Sequence, residues 1–246
     1  MQGTPKLEMN NMTDMLQQTL DLTQNSQKTF DNFICPTNIE AKKMLAFYVS
    51  NPSDSMIVLK GDTGTGKTHL LQAACHQYQL SGRIASYVPL RNPADIEALL
   101  SRSLAGELVC IDGVHTASLH DDLEHTLFRL YNHAEMAGCK LIWSMHKNCE
   151  FTRKDLVSRK QAMLSIELLP YNPDEILQIL EHRVSRDQLF IPKEVCAFLI
   201  KNYTRNINQL ISKAKEIEQY AYSVQKKVTL KMAKSLIFSD LHQLDE

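Results

Sequence analysis

An α/β core, a parallel sheet flanked by helices, followed by a small all-helical domain is the fold this sequence predicts. Three observations lead there. Gly61-Asp62-Thr63-Gly64-Thr65-Gly66-Lys67-Thr68 spells GxxxxGK[ST], set between the apolar run Met56-Ile57-Val58-Leu59 and the breaker-free stretch His69-Leu70-Leu71-Gln72-Ala73-Ala74-Cys75. Strand, glycine loop and helix in that order form a phosphate-binding loop. Apolar strand-length runs then alternate with helical patterns as far as Pro170, as a parallel sheet covered on both faces requires. Beyond Pro170 only helical periods follow, with no strand pattern.

Residues 1–28 are polar, rich in Gln, Asn, Thr and Asp, and read as a flexible tail. Order is expected to begin at Thr29-Phe30-Asp31-Asn32-Phe33-Ile34. Thr37 is the expected N-cap of a helix whose Ala41, Met44, Leu45 and Tyr48 share one face. After the loop and its helix, residues 83–88 read as a second strand and 93–100 as a second helix. Leu108-Val109-Cys110-Ile111-Asp112 is apolar on both faces, as a central parallel strand must be. Asp121 and Asp122 start an acidic helix end, with Leu123, Leu127, Leu130, Tyr131 and Ala134 along one stripe. Residues 140–145 and 163–168 supply the fourth and fifth strands.

In the helical part, 173–186 carries Ile176, Leu177, Leu180 and Val184, and 192–201 opens with proline, which suits a helix entry. Ile207, Leu210, Ile211, Ala214, Ile217, Ala221 and Val224 make one long stripe, and Thr229 caps a last helix. The expected division is a tail over 1–28, an α/β nucleotide-binding core over 29–170 and a helical module over 171–246.

The chain of 246 residues is long enough to bury a real core. Its 27 basic and 28 acidic residues leave a net charge of −1, so no overall field draws it toward nucleic acid or an anionic membrane. The six cysteines are scattered, with no CxxC pair or Cys/His cluster, and read as core residues in a reducing compartment. No signal peptide or membrane span is visible, and a cytoplasmic location is expected.

The loop's glycines let backbone N–H groups turn inward, and the helix start adds partial positive charge facing phosphates. Lys67 is placed to reach the β- and γ-phosphates, and the Thr68 hydroxyl to hold Mg²⁺. Asp112, ending an apolar strand two strands later, is the matching carboxylate for Mg²⁺. An active ATPase usually has a second acidic residue next, to orient the attacking water. Here Gly113, Val114 and His115 follow, so weak or no hydrolysis by the chain alone is expected.

The order of these parts resembles the AAA+ ATPases, and within them the DnaA branch. The resemblance rests on Thr29-Phe30-Asp31-Asn32-Phe33 before the loop and His69-Leu70-Leu71-Gln72-Ala73-Ala74 after it. It continues with Leu127-Phe128-Arg129-Leu130-Tyr131-Asn132 and Asp155-Leu156-Val157-Ser158-Arg159, and covers about residues 29–238. It implies an AAA+ P-loop core with a helical lid, and an adenine nucleotide (ATP or ADP) held with Mg²⁺. The base would lie against Phe33 and Ile34, and the phosphates against Gly61, Asp62, Thr63, Gly64, Thr65, Gly66, Lys67, Thr68 and His69. Arg159 would be the finger that reaches nucleotide on a neighbouring subunit. Within the branch the chain is similar to the Hda family of replication regulators. Gln17-Gln18-Thr19-Leu20-Asp21-Leu22 resembles its QLxLxL-like clamp peptide, with Gln17, Leu20 and Leu22 on pattern and Gln18 off it. The sequence ends after the lid, where DnaA proteins continue into a DNA-binding domain. The implied partners are therefore DnaA and the DNA polymerase sliding clamp, with DNA met only through the clamp, no membrane, and a homo-oligomer an open possibility.

Two departures stand out. Arg205-Asn206-Ile207-Asn208-Gln209-Leu210 has Asn208 where the family's lid carries a sensor arginine, with Arg205 on a different face. Trp143-Ser144-Met145-His146-Lys147 is also off the family's polar sensor pattern. Both suit a subunit that holds nucleotide as a conformational ligand. A helicase loader of the DnaC or IstB kind, a P-loop small-molecule kinase, and a shortened DnaA paralogue acting as an adaptor remain as alternatives.

Overall fold

The computed structural model describes residues 28–53, 55–119 and 121–242. Helix α1 (Ile39–Ser50) precedes β1 (Ile57–Gly61), α2 (Lys67–Leu80), β2 (Ala85–Pro89), α3 (Ala94–Leu100) and β3 (Leu108–Asp112). A 3₁₀ turn (Val114–Leu119) leads to α4 (Asp121–Met136), β4 (Lys140–Met145), α5 (Lys154–Ala162) and β5 (Leu164–Leu168). Four further helices follow: α6 (Pro173–Arg186), α7 (Lys193–Asn202), α8 (Ile207–Ser223) and α9 (Leu230–His242).

The five strands form one sheet in the order β2-β3-β4-β1-β5, and every pairing is parallel. Alternation along each strand sends successive side chains to opposite faces. Val58, Val109, Ile111, Leu141 and Trp143 meet α3, α4 and α5 on one face. Ile57, Leu59, Leu108, Cys110, Ile142 and Ile166 meet α1 and α2 on the other. Leu108 to Ile111 in β3 are wholly buried, which explains their unbroken apolar run. Among the described residues no helix is long and apolar enough to cross a membrane.

Strand β1 sits between β4 and β5, so the chain leaving it must cross to the far edge before returning. In open parallel sheets such a reversal leaves a crevice at the carboxyl ends of the strands. The glycine loop after β1 and Asp112 at the end of β3 both lie there.

Helices α6–α9 close on their own core of Ile176, Leu180, Val195, Leu199, Leu210 and Ile217 with their neighbours. Helix α6 starts with a capping box: the Asn172 side chain accepts from Glu175 N–H, and the Glu175 carboxylate from Asn172 N–H. Asn206 caps α8 by accepting from the N–H groups of Asn208 and Gln209. The Thr229 hydroxyl accepts from Met232 N–H at the start of α9.

Helix α1 departs from expectation at two points. Its N-cap is Asn38 rather than Thr37, because Thr37 N–H donates to Glu175 Oε1 at 2.7 Å instead. Asn38 does not cap the helix with its side chain either. Its amide donates to Leu169 O at 2.9 Å and accepts from Leu169 N–H at 2.8 Å, stitching the entry segment to the end of β5. Met44 is 44% exposed, and Val49 takes its place beside Ala41, Leu45 and Tyr48 on the buried face.

Asn38 is itself buried, and replacing it with alanine removes the partners of the part-buried Leu169 N–H and C=O. The expected cost is about 1–3 kcal/mol of unfolding free energy, measurable in urea titrations, and an undiminished midpoint would show that the pair is not needed.

Candidate functional site

A cavity of about 420 Å³ opens at the carboxyl ends of β1, β3 and β4, walled by the entry segment, the glycine loop, α6 and α8. Its floor is the start of α2. Gly66 precedes that helix at φ 93°, and no side chain caps it. Lys67, Thr68 and His69 line the cavity there, so the first-turn N–H groups and the positive end of the helix are available to an anion.

The loop holds its shape through bonds to its own backbone. Lys67 Nζ donates to Gly61 O at 2.8 Å and to Asp62 O at 2.7 Å. Burial pulls the Lys67 ammonium below the ordinary lysine range, with Asp112 and Asp62 opposing that shift. The Thr65 hydroxyl donates back to Asp62 O at 2.9 Å. Gly66 is tightly covered: a Cβ there would lie 2.5 Å from the Tyr171 hydroxyl and 2.6 Å from Phe33 Cε2.

Asp112 is surrounded by hydroxyl donors. Thr68 Oγ1 donates to its Oδ2 at 2.6 Å, Tyr87 Oη to the same oxygen at 2.8 Å, and Ser144 Oγ to Oδ1. Burial and the Asp112 carboxylate both push the Tyr87 phenol up, so it stays a donor. Ser144 Oγ in turn accepts from Gly113 N–H at 2.9 Å. Thr68 and Asp112 thus present a hydroxyl and a carboxylate at one locus. That all-oxygen pair fits a hard divalent cation such as Mg²⁺, which would neutralise phosphate charge there.

His69 anchors the entry segment. Its Nε2 lies 2.9 Å from Thr29 O, so Nε2 carries the proton, because a carbonyl only accepts. Its ring meets Phe33 edge to face, 5.3 Å between centroids. Burial moves its pKa down to about 4, with the Thr29 bond opposing and the charges of Lys28, Arg183 and Arg186 adding to the drop.

Of the residues singled out from sequence, Phe33, Ile34, Thr63, Gly64, Gly66, Lys67, Thr68, His69 and Asp112 line the cavity. Gly61, Asp62 and Thr65 do not. Gly61 and Thr65 pack behind the loop, where a Cβ on Gly61 would lie 2.7 Å from Thr65 Oγ1. Asp62 turns away to Lys147 at 2.7 Å and His146 at 3.2 Å, and the Lys147 ammonium holds its carboxyl below the usual range. Arg159 stands on α5 outside the cavity lining, over the Tyr131 ring at 5.1 Å and 3.4 Å from Glu135 Oε2. Gln17, Leu20 and Leu22 lie outside the described residues.

Several cavity residues escaped the sequence reading. Ser144 belongs to the segment read as off pattern, yet its hydroxyl reaches Asp112. Its signal was position alone, a polar residue inside an apolar strand one strand over from Asp112. Tyr171 donates its hydroxyl to Thr65 O at 2.8 Å and packs against both the sheet core and the lid core. From α6, Ile179, His182 and Arg183 face the cavity, and α8 presents Ile207 and Asn208. Arg205 is exposed and does not line it.

Residues 173–237 match the family described as "Hda, lid domain". The whole fold is similar to that of domain III of the replication initiation protein DnaA from Thermotoga maritima, with TM-score 0.73 and 22% identity over 87% of this chain and 96% of that one. It is also similar to AMPPCP-bound DnaA from Aquifex aeolicus, with TM-score 0.64 and 22% identity over 78% of this chain and 64% of that one. The Thermotoga maritima RuvB Holliday junction branch migration motor gives TM-score 0.64 and 19% identity over 85% of this chain and 70% of that one. At these identities the structural matches establish the shared fold alone, a five-stranded parallel sheet flanked by helices and followed by a helical domain.

The state of His69 has a pH consequence. Its folded pKa is depressed from 6.5 to about 4, so between those values the unfolded chain binds a proton that the folded chain refuses. Stability is therefore expected to fall as pH drops from 6.5 to about 4. His69→Gln, which cannot take up that proton, should flatten this part of the stability-versus-pH curve; an unchanged slope would assign the effect to other groups.

Proposed function

We propose, from helices 173–237 that match the Hda lid family and a fold similar to that of DnaA domain III, that the chain is an AAA+ protein of the DnaA/Hda branch and an Hda-like regulator of replication initiation. In this reading residues 29–170 form a core that binds ATP or ADP and 171–246 form the lid that closes over it. Thr68 and Asp112 hold Mg²⁺, while Phe33 and Ile34 face the base. The AMPPCP carried by the Aquifex aeolicus DnaA supports an adenine nucleotide as the ligand class.

The observation that carries the regulatory part is the placement of Arg159. Its guanidinium does not line the chain's own cavity, and its side chain is 37% exposed on α5. A planar, permanently charged group in that position suits reaching nucleotide held by a neighbouring subunit, where it offsets charge developing on the γ-phosphate. The partner in this proposal is DnaA carrying ATP. The tail residues Gln17, Leu20 and Leu22 dock on the DNA polymerase sliding clamp, so encounter with DnaA becomes effectively intramolecular and each separate contact can be weak. DNA is met only through the clamp.

The chain's own hydrolysis is expected to be slow. Gly113 follows Asp112 where a carboxylate would orient the attacking water. The nucleotide then serves to order core and lid against each other.

A reconstituted assay of DnaA-bound ATP hydrolysis on clamp-loaded DNA tests this reading. The wild-type chain should accelerate hydrolysis, and Arg159→Ala should lose roughly 10³-fold or more of that acceleration while binding ADP as tightly as before. Leu20→Ala with Leu22→Ala should abolish clamp capture. Acceleration that survives Arg159→Ala, or capture of replicative helicase instead of clamp, would reject the proposal.

A further inference from the structure

Arg183 is a cavity residue without an assigned task. It lies on α6 one turn after Ile179, and both line the cavity. Its Nε is buried and has no hydrogen-bond partner. A buried guanidinium nitrogen without an acceptor is costly and calls for one.

The surroundings say what kind of acceptor. Arg183 shares the region with Lys28 of the entry segment, also a cavity residue, and with Arg186. Burial and then Arg186 pull Arg183 below the ordinary guanidinium range; burial and then Arg183 do the same to Lys28. Carboxylates nearby are already engaged. Asp187 is 2.9 Å from Arg186 Nη2 and 3.3 Å from Lys215 Nζ, and Asp112 accepts from three hydroxyls. Lys67, at the loop, joins Lys28 and Arg183 as the third of these cations to line the cavity. Cations crowded in one partly desolvated cavity repel each other unless a polyanion joins them. Of the cavity residues from α8, Ile207 is apolar and Asn208 carries an amide with no charge, and Arg205 is exposed away from the cavity.

We propose that Arg183 is the lid's grip on the phosphate chain of the bound nucleotide, supplying from α6 the cation that α8 does not. This rests on the nucleotide-binding reading above and deepens it. The planar fork can donate to two phosphate oxygens at once, so α6 is drawn onto the loop and closure of the lid depends on phosphate charge rather than on the base.

Calorimetric titration of the full chain with ATP, ADP and adenosine in Mg²⁺ buffer tests the proposal, alongside unfolding temperatures with and without ligand. Arg183→Ala should weaken ATP and ADP binding by roughly ten- to a hundredfold, leave adenosine binding unchanged, and lose most of the ligand-induced rise in unfolding temperature. Arg183→Gln keeps much of the stem and should behave alike if the alanine variant folds poorly. Arg183→Lys, which keeps the charge without the fork, should fall between wild type and Gln. Equal losses for adenosine and ADP would reduce Arg183 to a packing role and overturn the inference. So would unchanged ADP affinity in the Ala and Gln variants, with the nucleotide-binding reading left standing. A wild-type chain that binds neither ADP nor ATP would overturn both.

Discussion

Gly66 has no side chain, and the space its Cβ would occupy is taken by the Tyr171 hydroxyl and the edge of the Phe33 ring. Three parts of the chain meet at that point: the phosphate loop, the entry segment and the residue that leads into the lid. The glycine also sits at φ 93°, a conformation that an L side chain adopts only with strain. One absent Cβ therefore lets the loop turn into α2 and lets two aromatic groups press on the turn. Tyr171 adds a hydrogen bond to Thr65 O, and it packs against the sheet core and the lid core alike. Lid position and loop shape are mechanically joined through this contact.

The entry segment is tied down just as firmly. Glu175 of the lid accepts from Thr37 N–H, and its other oxygen completes the α6 cap. Burial raises the Glu175 pKa, but the bonds from Thr37, Asn172 and Cys35 outweigh it, and the net shift is downward. A carboxyl held below its ordinary range favours the folded state above that range and loses the advantage as acid protonates it. His69 loses stability on the same side of neutrality, by the opposite chemistry: it is kept neutral by burial while Glu175 is kept charged by donors. Both groups fasten the entry segment, so acid weakens that wall of the cavity.

Periodicity made the sheet and the lid legible in the sequence, because burial on a strand face or a helix stripe repeats at fixed spacing. The stripe from Ile207 to Ala221 is buried along α8, and β3 is buried on both faces. The phosphate loop was legible because local backbone geometry demands its glycines. Contacts between residues far apart in sequence were not. Thr37 looked like a helix cap, yet its N–H goes to Glu175, 138 positions away, and its neighbour Asn38 bonds Leu169, 131 positions away. Asp62 looked like a loop residue facing phosphate, but Lys147 and His146 draw it to the back of the loop. Arg183 has no place in the apolar periodicity of α6, and only the tertiary packing brings it to the cavity wall.

Two arginines, Arg183 and Arg159, stand in settings that differ in kind. Arg183 faces inward, with a buried Nε and no partner. Arg159 faces outward, stacked on Tyr131 and 3.4 Å from Glu135, with the two side chains 37% and 49% exposed. A pair that open to solvent contributes only about 0–1 kcal/mol, so exchanging Glu135 for a phosphate oxygen costs little. The Tyr131 ring meanwhile limits where the guanidinium can go, because a cation over an aromatic face is favoured there by roughly 0.5–1 kcal/mol at exposed sites. An arginine that is weakly paired and aromatically steered is already oriented, yet free to leave. That combination suits a group meant to act on nucleotide held by another subunit, whereas the buried, unpartnered Arg183 suits one meant to hold its own.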